Sequence, residues 1–172
     1  EASGGDATYG ELSYELLDWA LAEAGADSSR GDVLCDLGSG GGRALLYLAL
    51  RSGCCAVGVE LAPTRHRSAM ALADLAAPFL QPGQVVFHEG DMTDPGGPQR
   101  CATIVFLANK LFEEDFTKKA LASVDQPRCF ITLRPIPCWA NHLRRTACLP
   151  TSWCRSQPVW LYEAERGQRS ER

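Results

Sequence analysis

One glycine-rich stretch, residues 32–60, constrains the fold of this chain more than any other. It opens with a short apolar run, 33–35, bounded by charged residues, which is typical of a buried parallel strand. Three glycines with the spacing Gly-x-Gly-x-Gly follow, then an apolar helical segment, 44–50, and a second apolar run that ends in Glu60. The stretch therefore predicts a strand, a tight turn, a helix and a second strand, as in nucleotide-binding sheets.

Two acidic residues flank the glycine turn and distinguish between ligand classes. Gly38 and Gly40 allow the backbone to turn sharply and to approach a ligand closely. Glu60, at the end of the second strand, can accept hydrogen bonds from ribose hydroxyls. Asp36 precedes Gly38 by two residues, where its charge would repel a pyrophosphate and would suit a cationic ligand. The residues favour S-adenosylmethionine, and a nicotinamide dinucleotide is the alternative.

The composition is that of a globular protein with no strongly basic character. The chain has 172 residues, of which 45% are hydrophobic and 22% charged, and its net charge is −4. We expect one domain over residues 1–166 and a charged tail over 167–172. No apolar run approaches the roughly 18 residues of a membrane span, and the secretory signal pattern is absent, so no membrane contact is expected. The eight cysteines include no Cys-x-x-Cys pair, which favours reduced thiols over disulfides or a metal site.

Helical and strand patterns alternate along the rest of the chain. The predicted helices cover 12–24, 64–77 and 113–124, and the further strands cover 85–87, 102–107, 129–133 and 159–164. No strand is predicted within 138–156. This alternation predicts an α/β fold, a doubly wound Rossmann-like sheet with helices on both faces. Ligands bind such sheets at the carboxyl ends of the strands, which is where Asp36, Glu60, Asp91 and Asn109 fall.

Several motifs together resemble those of one enzyme family. They are Tyr9-Gly10-Glu11 before the first helix, the turn at 36–40, Gly58-Val59-Glu60, Gly90-Asp91, the segment 105–112, the strand end 131–135, and Trp153 with 157–162. These motifs are similar to those of the Dot-one (disruptor of telomeric silencing) histone methyltransferases. Members of that family are class I lysine methyltransferases that lack a SET domain and modify a lysine in the globular core of histone H3. The resemblance spans about residues 9–166.

The resemblance implies S-adenosyl-L-methionine as cofactor and assigns residues to it. Glu60 would hold the ribose and Asp91 the adenine amino group, with Met92 against the adenine ring. The implied cofactor-binding residues are Tyr9, Glu11, Asp36, Gly38, Gly40, Glu60, Asp91 and Met92. Two positions depart from the family pattern. Arg43 stands where a glutamine is usual, and Ala108-Asn109 stands in place of two asparagines.

The resemblance also implies a methyl-transfer site with no metal and no general base. Asn109 and Phe112 would lie near the methyl group and the incoming lysine. An aromatic channel would favour the neutral, nucleophilic amine by disfavouring its charged form. The candidate channel residues are Phe112, Trp153, Trp160 and Tyr162, and packing in the core is the alternative for each.

The implied substrate is histone H3 in the nucleosome, which places the protein in the nucleus. The cluster of Trp139, His142, Arg144 and Arg145 is interpreted either as a weak DNA contact or as a solvated surface. Two other functions are compatible with the same residues. One is methylation of a non-histone protein lysine or a small molecule, and the other is cofactor binding with weakened catalysis.

Overall fold

The predicted alternation of strands and helices is present in the computed structural model, which describes residues 10–164. The helices are α1 (Tyr14–Ala24), α2 (Arg43–Ser52), α3 (Pro63–Ala76) and α4 (Glu114–Ala122). The strands are β1 (Val33–Leu37), β2 (Cys55–Glu60), β3 (Val85–Glu89), β4 (Ile104–Leu107), β5 (Cys129–Thr132), β6 (Leu143–Leu149) and β7 (Gln157–Glu163). Within the described residues, no helix is long and apolar enough to cross a membrane.

All seven strands form one sheet in the order β3-β2-β1-β4-β5-β7-β6. Strands β1 to β5 are parallel, and β7 lies antiparallel between β5 and β6. Strands β2 and β3 lie on one side of β1, and the later strands, beginning with β4, lie on its other side, so the strand order reverses between β1 and β4. Leu37 and Leu107 are paired there at the carboxyl ends of these two strands. A crevice for ligands is expected at this reversal.

Two apolar cores cover the two faces of the sheet, which confirms the doubly wound prediction. Along β1, Leu34 points into one core and Leu37 into the other, because successive side chains of a strand alternate between faces. The first core is covered by α1, α2 and α3. The second is covered by α4 together with loops and short 3₁₀ turns, such as Pro137–His142.

Local sequence signals explain where α1 begins and ends. Ser13 caps the helix, with its Oγ accepting a hydrogen bond from the Leu16 N–H at 3.1 Å. At the other end Gly25 adopts a left-handed conformation with φ of 55°. The helix therefore starts at Tyr14, two residues later than its apolar spacing predicts.

Strand β6, which occupies Leu143–Leu149, was not predicted from the sequence. This strand is at the edge of the sheet, and its first four residues are exposed. Edge strands carry charged residues that obscure the apolar alternation used to recognise strands. Arg144 is paired with Glu163, and Arg145 lies 3.2 Å from Glu23.

Candidate functional site

The glycine turn after β1 lies across the carboxyl end of β2. The N–H groups of Gly38 and Ser39 donate to the Val59 carbonyl at 2.8 and 3.1 Å. Gly38 has a φ of 88°, and a Cβ built there would lie 3.1 Å from Met92 Cε. A side chain at position 38 would strain the backbone and press on Met92. Two of the predicted cofactor residues, Gly38 and Met92, are thus in contact.

Glu60 fixes the glycine turn as well as ending β2. Its Oε2 accepts a hydrogen bond from the Gly40 N–H at 2.9 Å, and its Oε1 accepts one from the Ala62 N–H at 2.8 Å. The side chain is buried, with 4% of the residue exposed. The sequence predicts the position of this carboxylate but not its bond to Gly40.

Arg65 is a residue of the site that sequence reasoning missed. It lies in the first turn of α3, and its guanidinium donates to Glu60 Oε1 at 2.8 Å. The only available signal was its place five residues after Glu60, which brings a helical side chain back over the end of β2. Because of Arg65, Glu60 receives three donors and is electrostatically balanced.

Asp36 is buried with 7% of the residue exposed, and it lies near Glu60 at the carboxyl end of β1. Burial raises the pKa of Asp36 to about 7, and the charge of Glu60 adds to the rise. The second carboxylate of the site is therefore half protonated near neutral pH. A cation bound beside it would stabilise its charged form, so the pair fits a cationic ligand.

Asp91 lies just beyond β3, next to the end of β2. The Gly90 N–H donates to the Glu60 carbonyl at 3.0 Å, which holds the two strand ends together. The Asp91 side chain is exposed, and its Oδ1 accepts hydrogen bonds from the backbone and hydroxyl of Thr93 at 2.8 and 2.9 Å. Its second carboxylate oxygen has no such local bond among the described residues.

Asn109 follows β4, but its amide is directed at the end of β5. Its Oδ1 accepts hydrogen bonds from the N–H groups of Leu133 and Arg134 at 3.0 and 2.9 Å. The residue is 2% exposed. The amide oxygen therefore joins two strand ends and is occupied by backbone donors.

The four predicted channel aromatics are divided between the two cores. Phe112 and Trp160 pack against the core covered by α4, and Tyr162 is buried within it. The Tyr162 hydroxyl accepts a hydrogen bond from the Ile136 N–H at 2.8 Å, and burial raises its pKa. Trp153 packs against the other core. The structure does not bring all four rings into one channel.

Trp153 belongs instead to a wall formed by two chain segments, 10–13 and 150–153. The Trp153 ring lies so close to Gly10 that a Cβ there would be 2.1 Å from it. Glu11 and Ser152 exchange hydrogen bonds at 2.9 and 3.0 Å. The predicted cofactor residue Glu11 is thus placed in this wall, and Tyr9 lies outside the described residues.

Arg43 joins this wall to the glycine turn. It is the first residue of α2, and its guanidinium donates to the Leu12 carbonyl at 2.5 Å and lies 3.0 Å from the Glu11 carboxylate. It also lies 4.9 Å above the Tyr14 ring. The departure from the family's glutamine therefore has a structural partner in Glu11, which is 32 residues earlier in the sequence.

Two other predicted features lie away from the glycine turn. His142 and Trp139 have ring centroids 5.0 Å apart, close to the ion-paired arginines of β6. A groove of about 430 Å³ lies between α3 and the edge strand β3, lined by residues such as Ala77 and Val85. It lies at the opposite end of α3 from Arg65 and does not include the strand ends described above.

Comparison with known proteins finds a family and a set of similar folds. The family model described as "Histone methylation protein DOT1" matches residues 2–128. No curated protein matches significantly.

Three solved structures illustrate the similarity of fold. An RNA methyltransferase from Salinibacter ruber in complex with S-adenosyl-L-homocysteine is 24% identical, with 88% of this chain and 91% of that chain covered and a TM-score of 0.69. Magnesium protoporphyrin IX methyltransferase from Synechocystis PCC 6803 with bound SAM is 16% identical, with 87% and 77% covered and a TM-score of 0.66. A SAM-dependent methyltransferase from Thiobacillus denitrificans in complex with S-adenosyl-L-homocysteine is 19% identical, with 70% and 48% covered and a TM-score of 0.56. These similarities show that the sheet has a methyltransferase fold.

Proposed function

The chain belongs to the DOT1 family of histone methylation proteins, and from this membership we propose that it methylates a lysine in the globular core of histone H3 in nucleosomes. The broader activity, S-adenosylmethionine-dependent methyl transfer, rests on the family together with the methyltransferase fold. One observation carries the proposal. The matched region, 2–128, contains the glycine turn, Glu60 and the segment around Asn109.

The residues of the site fit S-adenosylmethionine. This cofactor carries a methyl group on a positively charged sulfonium sulfur and has an ammonium group. Asp36 and Glu60 supply two buried carboxylates at the strand ends. Arg65 is paired with Glu60, whereas burial and the charge of Glu60 raise the pKa of Asp36, so Asp36 is the carboxylate that a bound cation would stabilise. Gly38 leaves the backbone bare beside Met92, where a ligand can approach closely.

Glu60 and Arg65 would share the ribose end of this site. A carboxylate has about four acceptor positions, and Glu60 uses three of them for Gly40, Ala62 and Arg65. Two ribose hydroxyls would therefore use the one free position and the position held by Arg65. The bonds to Gly40 and Ala62 would keep the carboxylate in place. We assign Asp91 and Met92 to the adenine, and Tyr9 and Glu11 to the covering loop.

The methyl acceptor must reach the site as a neutral amine, because a protonated amine has no lone pair to attack with. An aromatic wall disfavours the charged ammonium when water is excluded. We assign this role to Trp153, which lies beside Lys110, and to Phe112, which follows the turn after β4. Asn109 acts as a positioning residue, since its amide oxygen holds the ends of β4 and β5 together. Positioning of the amine relative to the methyl carbon is the chain's main contribution to the rate.

The nucleosome is the proposed partner and the nucleus the proposed location, both on the strength of the family. DNA contact through Arg144 and Arg145 would require a phosphate to compete with Glu163 and Glu23. We therefore assign DNA at most a weak contact at this surface.

The test is methylation by the purified chain with labelled S-adenosylmethionine. Nucleosomes, free histone H3 and a lysine-rich non-histone protein are offered in parallel, with Asp36→Asn as the inactive control. We expect label on a core lysine of H3 in nucleosomes. Label only on the non-histone protein would replace the histone proposal by the alternative substrate. Cofactor binding without label on any acceptor would identify a binding module instead.

A further inference from the structure

Lysine is rare in this chain, and one of its few lysines follows β4, the strand that ends at the reversal of strand order. The sequence has 14 arginines and only three lysines, at positions 110, 118 and 119. Lys118 and Lys119 lie on α4, and the Lys118 ammonium is 2.7 Å from the Glu114 carboxylate. Lys110 lies elsewhere, in the 3₁₀ turn Asn109–Leu111 that follows β4.

Lys110 and the glycine turn follow neighbouring strands of the sheet. Leu107 ends β4 and is paired with Leu37, which ends β1. Gly38 follows one of these paired residues directly, and Lys110 follows the other by three positions. Both therefore border the crevice at the reversal of strand order, where ligands of such sheets bind.

The Lys110 ammonium contacts an aromatic face and not a carboxylate. Its Nζ lies 5.3 Å from the centroid of the Trp153 ring, which belongs to the wall of segments 10–13 and 150–153. Among the described residues, no carboxylate forms an ion pair with Lys110, and its side chain is exposed. A cation–π contact at an exposed site contributes about 0.5–1 kcal/mol. The amine is thus held loosely, on a surface that does not stabilise its charge as an ion pair would.

We propose, on the basis of the proposed function, that Lys110 is a methyl acceptor of its own chain. It occupies the aromatic surface on the acceptor side of the crevice, where it takes a methyl group when no other substrate is present. Lys118 and Lys119 are not acceptors, because they lie on α4, which covers the second core.

The chemistry of this step balances without any further reactant. The Lys110 ammonium first loses a proton to water. The Nζ lone pair then attacks the methyl carbon, so that an N–C bond forms as the S–C bond breaks. The electron pair of the broken bond stays on sulfur, which leaves S-adenosylhomocysteine and a methylammonium.

The first test incubates the purified chain with S-adenosylmethionine alone and measures its mass. Each transfer adds about 14 Da, and peptide mapping assigns it to one of the three lysines. We expect modification at Lys110 to exceed that at Lys118 and Lys119 together by more than tenfold. Lys110→Arg keeps a cation near Trp153 but should abolish the mass gain, while the matched variant Lys119→Arg should keep it. Unmodified Lys110, or equal modification of the three lysines, would overturn the inference.

The concentration dependence separates transfer within one chain from transfer between chains. Because Lys110 borders its own crevice, the fraction modified per minute should not change over a tenfold range of protein concentration. A rate that rises in proportion to concentration would contradict the assignment.

A second test needs no methyl transfer. The chain is treated with acetic anhydride, an amine-reactive reagent, with and without S-adenosylhomocysteine. We expect S-adenosylhomocysteine to lower acetylation of Lys110 several-fold and to leave acetylation of Lys119 unchanged. Equal acetylation of Lys110 in both samples would show that it does not border the occupied site.

These results are distinguishable from those that test the proposed function. Methylated Lys110 with unmodified nucleosomes would support the inference and refute the histone substrate. Methylated H3 with unmodified Lys110 would do the reverse. Unmodified Lys110 and unmodified nucleosomes, in a chain that binds the cofactor, would refute both.

Discussion

The two ends of β1 carry the same acidic residue in opposite electrostatic settings. Asp32 immediately precedes the strand, and Asp36 is its second-last residue, before Leu37. Both are buried, with 6% and 7% of the residue exposed. The pKa of Asp32 is lowered below its ordinary value of 3.8, whereas that of Asp36 is raised to about 7. Burial alone therefore does not determine the charge of these groups.

The partners of Asp32 account for the difference. Burial acts to raise its pKa, but hydrogen bonds from Arg128 and Arg30, at 2.9 and 3.0 Å, outweigh this effect. The Asp27 N–H and the Thr103 hydroxyl also donate to it, each at 3.0 Å. Asp36 has Glu60 as its charged neighbour, and within residues 10–164 no cation acts to lower its pKa. The carboxylate at the amino end of β1 is compensated by the chain's own arginines, whereas a bound cation would compensate the one at the carboxyl end.

The largest expected effect is on stability at the amino end. Asp32→Ala should lower the free energy of unfolding by about 3 kcal/mol, because among the described residues it leaves Arg128 without a carboxylate partner and Arg30 with only the 3.9 Å contact to Asp27. Urea denaturation at pH 7 measures the change. Asp125→Ala, which removes an exposed pair with Arg100, is the matched control and should cost less than about 1 kcal/mol. Equal losses for the two variants would remove the special role of the buried Asp32.

Asp36→Asn should have the opposite profile. Affinity for S-adenosylmethionine should fall by about 100-fold, or about 2.7 kcal/mol, because the site loses a negative charge that faces a cation. The unliganded protein should be more stable at pH 8 and unchanged at pH 4. Between pH 3.8 and about 7 the folded wild-type chain holds a proton that the unfolded chain releases, so its stability decreases as the pH rises. Calorimetric titration and thermal melts at the two pH values measure both effects. A destabilised Asp36→Asn protein at pH 8 would contradict this profile.

The wild-type protein should also bind its cofactor in a pH-dependent way. With a pKa of about 7 for Asp36, affinity for S-adenosylmethionine should increase about tenfold between pH 6 and pH 8, as the carboxylate becomes charged. Asp36→Asn should show a flat profile over the same range. The lowered pKa of Asp32 puts its titration well below this window. A dependence that persists in Asp36→Asn would assign it to another group.

Asn109 allows a test of whether a residue at the carboxyl ends of the strands contributes to stability, as Asp32 does at the amino end. Asn109→Ala leaves the buried Leu133 N–H without an acceptor, and we expect a loss of about 2 kcal/mol in the free energy of unfolding. Asn109→Asp keeps an acceptor oxygen and should lose less. If both variants retain wild-type stability but lose turnover, Asn109 acts on the reacting groups and not on the strand ends.

The smallest effect is expected for Arg43. Arg43→Gln introduces the residue usual in the family and removes the ion pair with Glu11. Partly exposed ion pairs contribute at most about 1 kcal/mol to stability. We expect cofactor affinity to weaken about threefold, with little change in melting temperature. Arg51→Gln, on the same helix and paired with Asp18, should leave cofactor affinity unchanged. A similar loss in both variants would indicate a general effect of charge on α2.

Local sequence patterns were sufficient for every strand of the described sheet except β6 and for the position of its acidic strand ends. The glycine turn and the position of Glu60 follow from spacing within 29 residues, 32–60. The partners of these groups could not be predicted in the same way. The pKa of Asp36 depends on Glu60 across the sheet, and the amide of Asn109 is directed at a strand 24 residues later. Arg43 and Glu11 are likewise brought together only by tertiary packing.

The wall that holds Trp153 has a consequence for the order of folding. The Glu11 N–H and the Ser152 hydroxyl are joined although 141 residues separate them. Such distant contacts form late, because the intervening chain must be ordered before they are gained. The glycine turn, by contrast, is held by Val59 and Glu60, and the Gly40–Glu60 bond spans only 20 residues. During folding, the glycine turn should therefore form before the wall of segments 10–13 and 150–153 closes beside it. Under denaturant, this wall should be the first part of the site to open.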